Sequence, residues 1–146
     1  MTLAWRNRDE IRKWFLTTDV IAADRHHAWY EQYRERDDDF VFVIEETETL
    51  CRPVGQISLY AIDWQAGRGT FGRLMIGDPA ARRQGLARLA AARLIDEARD
   101  VWHLREVLLE ARIDNASALA VYDACGFQSI GHVTKDVVLM RRDTRS

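Results

Sequence analysis

Two groups of residues have types and spacing that could bind a phosphorylated ligand and act on it. The first lies between a β-rich run and a predicted helix, where unpaired backbone N–H groups carry a partial positive charge. Gly85 lets an anion approach that backbone closely, and the flanking arginines add charge, so the loop is suited to a pyrophosphate. A glycine at a helix start between solvated arginines would look the same. The loop comprises Arg82, Arg83, Gln84, Gly85, Leu86, Ala87 and Arg88.

The second group follows one predicted strand later and has the spacing N-x-x-A-x-x-x-Y-x-x-x-G-F. On a helix, Asn115, Ala118 and Tyr122 share one face. A purely structural explanation also fits, with Asn115 as N-cap, Tyr122 in the core and Gly126 as C-cap. That explanation does not account for the anion-binding loop that precedes the group. Its residues are Asn115, Ala118, Tyr122, Gly126 and Phe127.

Hydrophobic periodicity predicts the elements that must position these groups. Asn7 is a plausible N-cap for the first helix, and alternating apolar residues predict the strands. The predicted helices cover 5–16, 23–36, 83–99 and 115–125, and the predicted strands cover 40–44, 54–62, 69–76, 106–110, 128–132 and 137–141. Strands that come mostly first and then alternate with helices favour an α/β fold, with a mixed sheet and helices on both faces.

Composition limits the class of protein. The chain has 146 residues, of which 47% are hydrophobic and 30% charged, and its formal net charge is -2. The length suits a single domain over 1–146, and the charge excludes a strongly basic nucleic-acid module. No apolar run approaches the ~18 residues of a membrane-spanning helix. The two cysteines, Cys51 and Cys125, lack metal or redox spacing, so we expect a cytoplasmic protein with reduced thiols, no metal, no nucleic acid and no membrane partner.

Together the two motifs resemble the GNAT family of acetyl-CoA-dependent N-acetyltransferases. The family's R/Q-x-x-G-x-G/A loop matches Arg82, Gly85 and Ala87, and its second motif matches the spacing over 115–127. The resemblance implies the GNAT fold, in which the central sheet is mixed and mostly antiparallel. The family opens with a strand, but only residues 1–4 precede the first predicted helix. The N-terminal strand is therefore expected to be short or absent.

A finer resemblance concerns the N-terminal part and one later turn. These segments are similar to the branch that includes ribosomal-protein Nα-acetyltransferases and nucleotide-amino-sugar acetyltransferases, most of all the pseudaminic-acid pathway enzyme. This implies acetylation of the amino group of a nucleotide-linked amino sugar and leaves a homodimer open. The alternatives are acetylation of a protein N-terminus, a non-catalytic acyl-CoA-binding module, or an interaction protein whose anion site has no catalytic meaning. The segments are 5–7 (WRN), 11–15 (IRKWF), His26-His27 before Trp29, and 76–79 (IGDP).

The resemblance to the family also implies how acetyl transfer would proceed. The loop would hold the pyrophosphate, and a backbone N–H of Met75 or Ile76 would stabilise the oxyanion where the central strand splays from 108–111. Tyr122 would protonate the leaving thiolate. A free thiol titrates near ~8.5 and a tyrosine near ~10, so the two are expected to be nearly matched. The implied acetyl-CoA-binding residues are Met75, Ile76, the seven loop residues, Asn115 for the pantetheine arm, Ala118 and Tyr122.

The base that deprotonates the amine is less well defined. The central strand over 71–76 lacks the glutamate that many GNAT enzymes place there. Glu110 is the first candidate. Histidine has a suitable unperturbed pKa, although a lone histidine is more often a surface or packing residue. The alternatives are Glu45, His26, His27, Asp78 or a water chain that ends on one of these groups.

Acceptor recognition is expected from the first two predicted helices. Stacked aromatic rings would suit a sugar or a base, and arginines would meet a nucleotide diphosphate. Aromatic residues at helical spacing more often belong to a core, and a solvated basic face would look the same. Because the net charge is -2, any attraction for an anionic acceptor must be local. The candidates are Arg6, Trp14, His26 and Trp29, with Tyr30, Tyr33, Arg12, Lys13 and Arg25 as further rings and cations.

Overall fold

The computed structural model describes residues 2–13, 15 and 19–145. Its centre is a six-stranded sheet in the order β1-β2-β3-β4-β6-β5. Within the described residues, β3 and β4 are parallel and the other neighbouring pairs are antiparallel. The sheet is therefore mixed and mostly antiparallel, which confirms the predicted fold class. The strands are β1 Phe40–Glu46, β2 Arg52–Asp63, β3 Arg68–Ile76, β4 Glu106–Arg112, β5 Gln128–Thr134 and β6 Val137–Asp143.

The two faces of the sheet differ because side chains alternate along each strand. On β2, Ile57 and Leu59 are buried in the main core, whereas Tyr60 lines a cleft on the opposite face. On β1, Phe42 packs against that core and Val41 lines the cleft. One face of the sheet is thus covered by the core, and the other face forms part of the cleft.

Two helices cover the core face. They are α4 Leu86–Asp100 and α5 Ala116–Ala124. On α4, Ala91, Leu94 and Ile95 are buried, as their spacing predicts. The helix starts later than the predicted residue 83 because Arg83 and Gly85 have left-handed φ values of 62° and 75°.

Helix α5 has the caps that the sequence predicts. Asn115 is its N-cap, and the side-chain Oδ1 accepts a hydrogen bond from the Ala118 N–H at 3.2 Å. After the helix, Gly126 has a φ of 87°, a left-handed conformation that costs glycine little. Tyr122 and Phe127 are both buried in the core. The structural roles of these motif residues are therefore confirmed.

The N-terminal segment departs from its prediction. A single helix over 5–16 is wrong, because α1 Thr2–Arg6 and α2 Asp9–Arg12 are separate helices. Asn7 lies between them, and the N-cap of α2 is Arg8 instead. The Asn7 side-chain amide donates to the Ile21 carbonyl and its Oδ1 accepts from the Ile21 N–H, both at 2.7 Å. This pair of hydrogen bonds ties the turn to a distant segment, which helical periodicity could not predict.

Helix α3, Ala23–Tyr33, lies over the cleft face of the sheet. It ends before the predicted residue 36, and none of its residues is buried. The Tyr33 hydroxyl accepts a hydrogen bond from the Val41 N–H at 3.0 Å, which ties the end of the helix to β1. Within the described residues no strand precedes β1, in keeping with the expected short or absent N-terminal strand.

Three further observations concern the described residues as a whole. None of their helices combines the length and the apolar character needed to cross a membrane. No three histidine, cysteine, aspartate or glutamate side chains among them converge as a metal site would require. Both cysteines are free, Cys51 at the surface and Cys125 partly buried.

Candidate active site

The site is built on a gap between the two parallel strands. The β3–β4 ladder consists of three pairs, Arg68↔Glu106, Gly69↔Val107 and Thr70↔Leu108. Beyond Thr70 the strands diverge, as the family resemblance implied for this strand pair. Two hollows of about 740 and 440 Å³ occupy the gap and the adjoining cleft. The hollows adjoin each other, since they share the lining residues Phe15, Leu74 and Asn115.

The smaller hollow lies at the carboxyl end of β3. Met75, Ile76, Arg82 and Asn115 line it, so four of the predicted acetyl-CoA contacts converge there. The Arg82 Nε donates to the Ile76 carbonyl at 3.2 Å, and an Nη lies 3.7 Å from a Glu10 oxygen. The Arg82 side chain is thus held against the end of β3, while the loop that follows is open.

The predicted pyrophosphate loop presents its backbone to solvent. Arg83, Gln84, Gly85 and Arg88 are exposed, whereas Leu86, Ala87 and Arg82 are half-buried. A Cβ placed on Gly85 would meet nothing within 4 Å, so the space beside this backbone is empty. Since the loop forms the start of α4, its free N–H groups and two exposed arginines make a positive surface suited to an anion.

Tyr122 lies deep in the larger hollow. Its ring packs edge-on against Phe71 and Phe127, with centroids 5.8 and 6.0 Å away. Burial raises the pKa of Tyr122 to about 12, and the nearby Tyr60 and Cys125 contribute in the same direction. The expected near-match with a thiol is therefore wrong in this environment. Tyr122 stays protonated and can donate a hydrogen bond, but full transfer of its proton to a free thiolate is unfavourable.

Some of the candidate bases line the cleft, and the others do not. Glu110 and His26 line it, and Glu110 is exposed to solvent. Glu45, His27 and Asp78 are not among the described lining residues. The Asp78 carboxylate instead accepts from Arg52 at 2.7 Å and from the Ala80 N–H at 3.0 Å. Geometry thus leaves two of the five candidate side chains facing the gap.

An aromatic wall on α3 faces the cleft. Trp29 and Tyr33 stack with centroids 5.2 Å apart, and His26 lies 5.6 Å from Trp29. His26, Trp29 and Arg6 line the cleft, so three of the four predicted acceptor residues converge. The fourth, Trp14, lies outside the described residues. Tyr30, Tyr33 and Arg25 line the same cleft.

Sequence reasoning missed the residues at the floor of the cleft. Arg73, in β3, makes a bidentate ion pair with the buried Asp39, at 2.8 and 3.1 Å. Its guanidinium lies 4.2 Å from the Tyr60 ring centroid and 5.5 Å from that of Trp29. Burial raises the pKa of Tyr60, Arg73 lowers it, and Glu110 raises it further. An arginine inside an apolar strand was the available signal, because a half-buried cation requires a partner.

The charged residues around the cleft are mostly cationic. Among the described lining residues, the arginines are Arg6, Arg25, Arg73 and Arg112, and the carboxylate is Glu110. Arg73 is paired with Asp39, and Arg112 is paired with Asp114 at 3.1 Å. Even when the paired Asp39 and Asp114 are counted, these residues provide little negative charge that could balance a bound cation.

Comparisons with known proteins identify what this arrangement resembles. Residues 1–128 match the family model described as an acetyltransferase (GNAT) domain. A spermidine N(1)-acetyltransferase from Vibrio cholerae is 23% identical over 136 residues, which cover 93% of this chain and 76% of that protein. The chain is also similar to a solved structure, that of a spermidine N-acetyltransferase from Vibrio cholerae in complex with CoA and spermine. That structure has a TM-score of 0.87 and 20% identity over 98% of this chain and 88% of the other. A domain from Methanocaldococcus jannaschii has a TM-score of 0.81 at 14% identity over 97% and 88% of the two chains.

Proposed function

Because the chain belongs to the GNAT acetyltransferase family, and so is an acetyl-CoA-dependent N-acetyltransferase, we propose that its acceptor amine binds under α3 and meets acetyl-CoA in the gap between β3 and β4. The donor would enter from the smaller hollow, with its pyrophosphate on the exposed loop 82–88. The acceptor would enter from the larger hollow. The hollows meet at Leu74 and Asn115, so that is where the thioester and the amine would come together.

The chemistry needs two proton movements around one tetrahedral intermediate. The amine nitrogen attacks the thioester carbon, and the carbonyl oxygen takes up negative charge, which a backbone N–H of Met75 or Ile76 would stabilise. The C–S bond then breaks. Tyr122 would donate a hydrogen bond to the leaving thiolate, which takes its proton from solvent, and Glu110, directly or through water, would take the proton of the amine. His26 is the second candidate for that base.

The acceptor that the cleft supports best is an amine on an anionic, ring-bearing molecule, such as a nucleotide-linked amino sugar. The observation that carries this proposal is the lining itself, in which the described residues include four arginines and a set of stacked rings but one carboxylate, Glu110. The Vibrio cholerae relative acts on spermidine, which is a polycation. A polycation in this cleft would have little negative charge to bind. A homodimer also remains a prediction; a structure of the relative is dodecameric.

An acceptor panel tests this proposal. Thiol release from acetyl-CoA would be measured with a nucleoside-diphosphate amino sugar, with spermidine and with a short peptide bearing a free N-terminus. We expect kcat/KM for the amino-sugar nucleotide to exceed that for spermidine at least ~100-fold, since two charge-assisted contacts differ between them. Spermidine turned over as efficiently as the nucleotide would refute the acceptor assignment, and the peptide alone being acetylated would favour the protein N-terminus.

A matched pair of variants separates a cleft contact from a general loss of positive charge. Arg25 lines the cleft, whereas Arg34 lies just beyond the same helix and pairs with Glu31 at 3.6 Å. Arg25→Gln is expected to raise KM for the anionic acceptor about tenfold, and Arg34→Gln to leave it unchanged. Equal effects of the two substitutions would mean that the attraction is not local.

A further inference from the structure

A bulge in β3 lies where that strand leaves its partner. Two steps along β2, from Ser58 to Gln56, correspond to three steps along β3, from Gly72 to Met75. One extra residue is therefore inserted in β3, just beyond the last β3–β4 pair at Thr70. A bulge bends a strand and redirects its backbone groups. This bulge immediately precedes the N–H groups proposed to face the thioester.

The bulge holds Arg73 in an unfavourable conformation. Its φ is 51°, which is left-handed and disfavoured for a residue with a Cβ. Such a conformation persists when the surrounding structure fixes it. Here the Arg73 carbonyl accepts from the Gln56 Nε2 at 3.2 Å, and the side chain is fixed by a partner from another element.

That partner is Asp39, which immediately precedes β1. Asp39 is 4% exposed, and both of its oxygens accept from the Arg73 guanidinium. The guanidinium also lies against the rings of Tyr60 and Trp29, so it joins the bulge to the aromatic wall. Removing one partner of such a pair leaves the other charge half-buried and uncompensated.

We propose that Asp39 is a positioning residue for acetyl transfer: through Arg73 it holds the β3 bulge, and the bulge aims the backbone N–H groups of the following residues at the thioester oxygen. Asp39 itself touches neither substrate. The proposal rests on the proposed function, since it assigns a use to the same gap. It predicts that loss of the pair lowers the rate of the chemical step more than it weakens the binding of acetyl-CoA.

The test compares Asp39→Asn with Asp38→Asn. Asp38 is the neighbouring residue and pairs with the exposed Arg36 at 2.8 Å, so its substitution controls for loss of a nearby ion pair. Asp39→Asn is expected to lower kcat about 10- to 100-fold, the loss that follows when an oxyanion donor is displaced, while the Kd of acetyl-CoA changes less than threefold. Asp38→Asn is expected to change neither. A kcat for Asp39→Asn within twofold of the wild type would overturn the proposal.

A second variant covers the case in which Asp39→Asn fails to fold. The double substitution Asp39→Asn with Arg73→Gly removes both charges, and glycine accepts a left-handed φ at no steric cost. We expect this double variant to be folded and to keep the bulge, so that the backbone N–H groups of Met75 and Ile76 still face the thioester oxygen. The readout is the change in the amide proton shifts of Met75 and Ile76 when CoA is replaced by acetyl-CoA, which needs no acceptor. The wild type and the double variant should both show this change in the amide shifts. The Asp39→Asn variant, if it is folded, should not show it.

The two proposals fail in different ways. If no amine is turned over but the amide shifts follow the pattern above, the proposed function fails and the role of Asp39 stands. If the double variant lacks the shift change that the wild type shows, or neither protein shows it, the proposed role of the bulge is overturned whatever amine is acetylated.

Discussion

Tyr122→Phe is expected to lower kcat by about 100- to 1,000-fold while the Kd of acetyl-CoA stays within about twofold of the wild type. The substitution removes only the hydroxyl that we place beside the leaving sulfur. The ring contacts with Phe71 and Phe127 remain, so the core that supports the gap is preserved. Steady-state kinetics and calorimetric titration with acetyl-CoA measure the two quantities separately.

Tyr60 provides the matched control for this substitution. It is the neighbouring tyrosine of the cleft, and it too has a pKa raised by burial. If Tyr122 assists the leaving group, Tyr60→Phe should lower kcat by less than about fivefold. A larger loss for Tyr60→Phe than for Tyr122→Phe would transfer the role to Tyr60.

The pH dependence of kcat provides a further check on Tyr122. Because burial raises its pKa to about 12, the acid form is present throughout the range in which the protein can be assayed. Deprotonation would remove the donated hydrogen bond, so the rate should not fall from this cause below about pH 11. A falling limb near the usual tyrosine pKa of ~10, present in the wild type and absent in Tyr122→Phe, would contradict the account.

Gly85→Asp is expected to raise the Kd of acetyl-CoA at least ~100-fold. The carboxylate would stand where the loop receives the pyrophosphate, and two like charges a few ångström apart repel by about 3 kcal/mol near a protein surface. The fold should survive, because aspartate is a favourable N-cap and tolerates left-handed φ values such as the 75° of Gly85. The space beside Gly85 is empty, so a steric clash with the rest of the protein is not the cause.

Gly85→Asn isolates the charge from the shape. Asparagine has nearly the same size, caps a helix equally well and accepts the same backbone conformation. Calorimetry should show a clearly smaller loss of affinity for Gly85→Asn than for Gly85→Asp. Equal losses would indicate that bulk at this position matters and that the pyrophosphate is not bound beside it.

Local patterns explain why much of the fold was predictable. Gly85 precedes the start of α4, and Gly126 follows the end of α5. Each has a left-handed φ, which glycine adopts at low cost whatever its neighbours are. Strand alternation likewise needs only neighbouring residues, and β4 follows it closely, whereas β2 is buried on both faces over 54–59. The motif residues could therefore be placed on the correct elements, and the divergence of β3 from β4 followed from the family resemblance.

Long-range contacts explain what could not be predicted. The helix over 5–16 is interrupted because Asn7 bonds Ile21, and helical periodicity is silent about such a partner. The ion pair between Asp39 and Arg73 likewise joins residues that only the folded sheet brings together. The match between Tyr122 and a thiol failed for a related reason, since its pKa depends on burial in a core that only the folded chain assembles.

The most direct test of the central claim follows both products of the reaction in one experiment. The wild-type protein, acetyl-CoA and the nucleoside-diphosphate amino sugar would be incubated together, with free thiol measured colorimetrically and the acceptor measured by mass spectrometry. We expect thiol and N-acetylated acceptor to appear in equal amounts, and both to fall nearly to zero with Tyr122→Phe. Thiol release without an acetylated amine, or no thiol release with any amine at saturating acetyl-CoA, would contradict that claim.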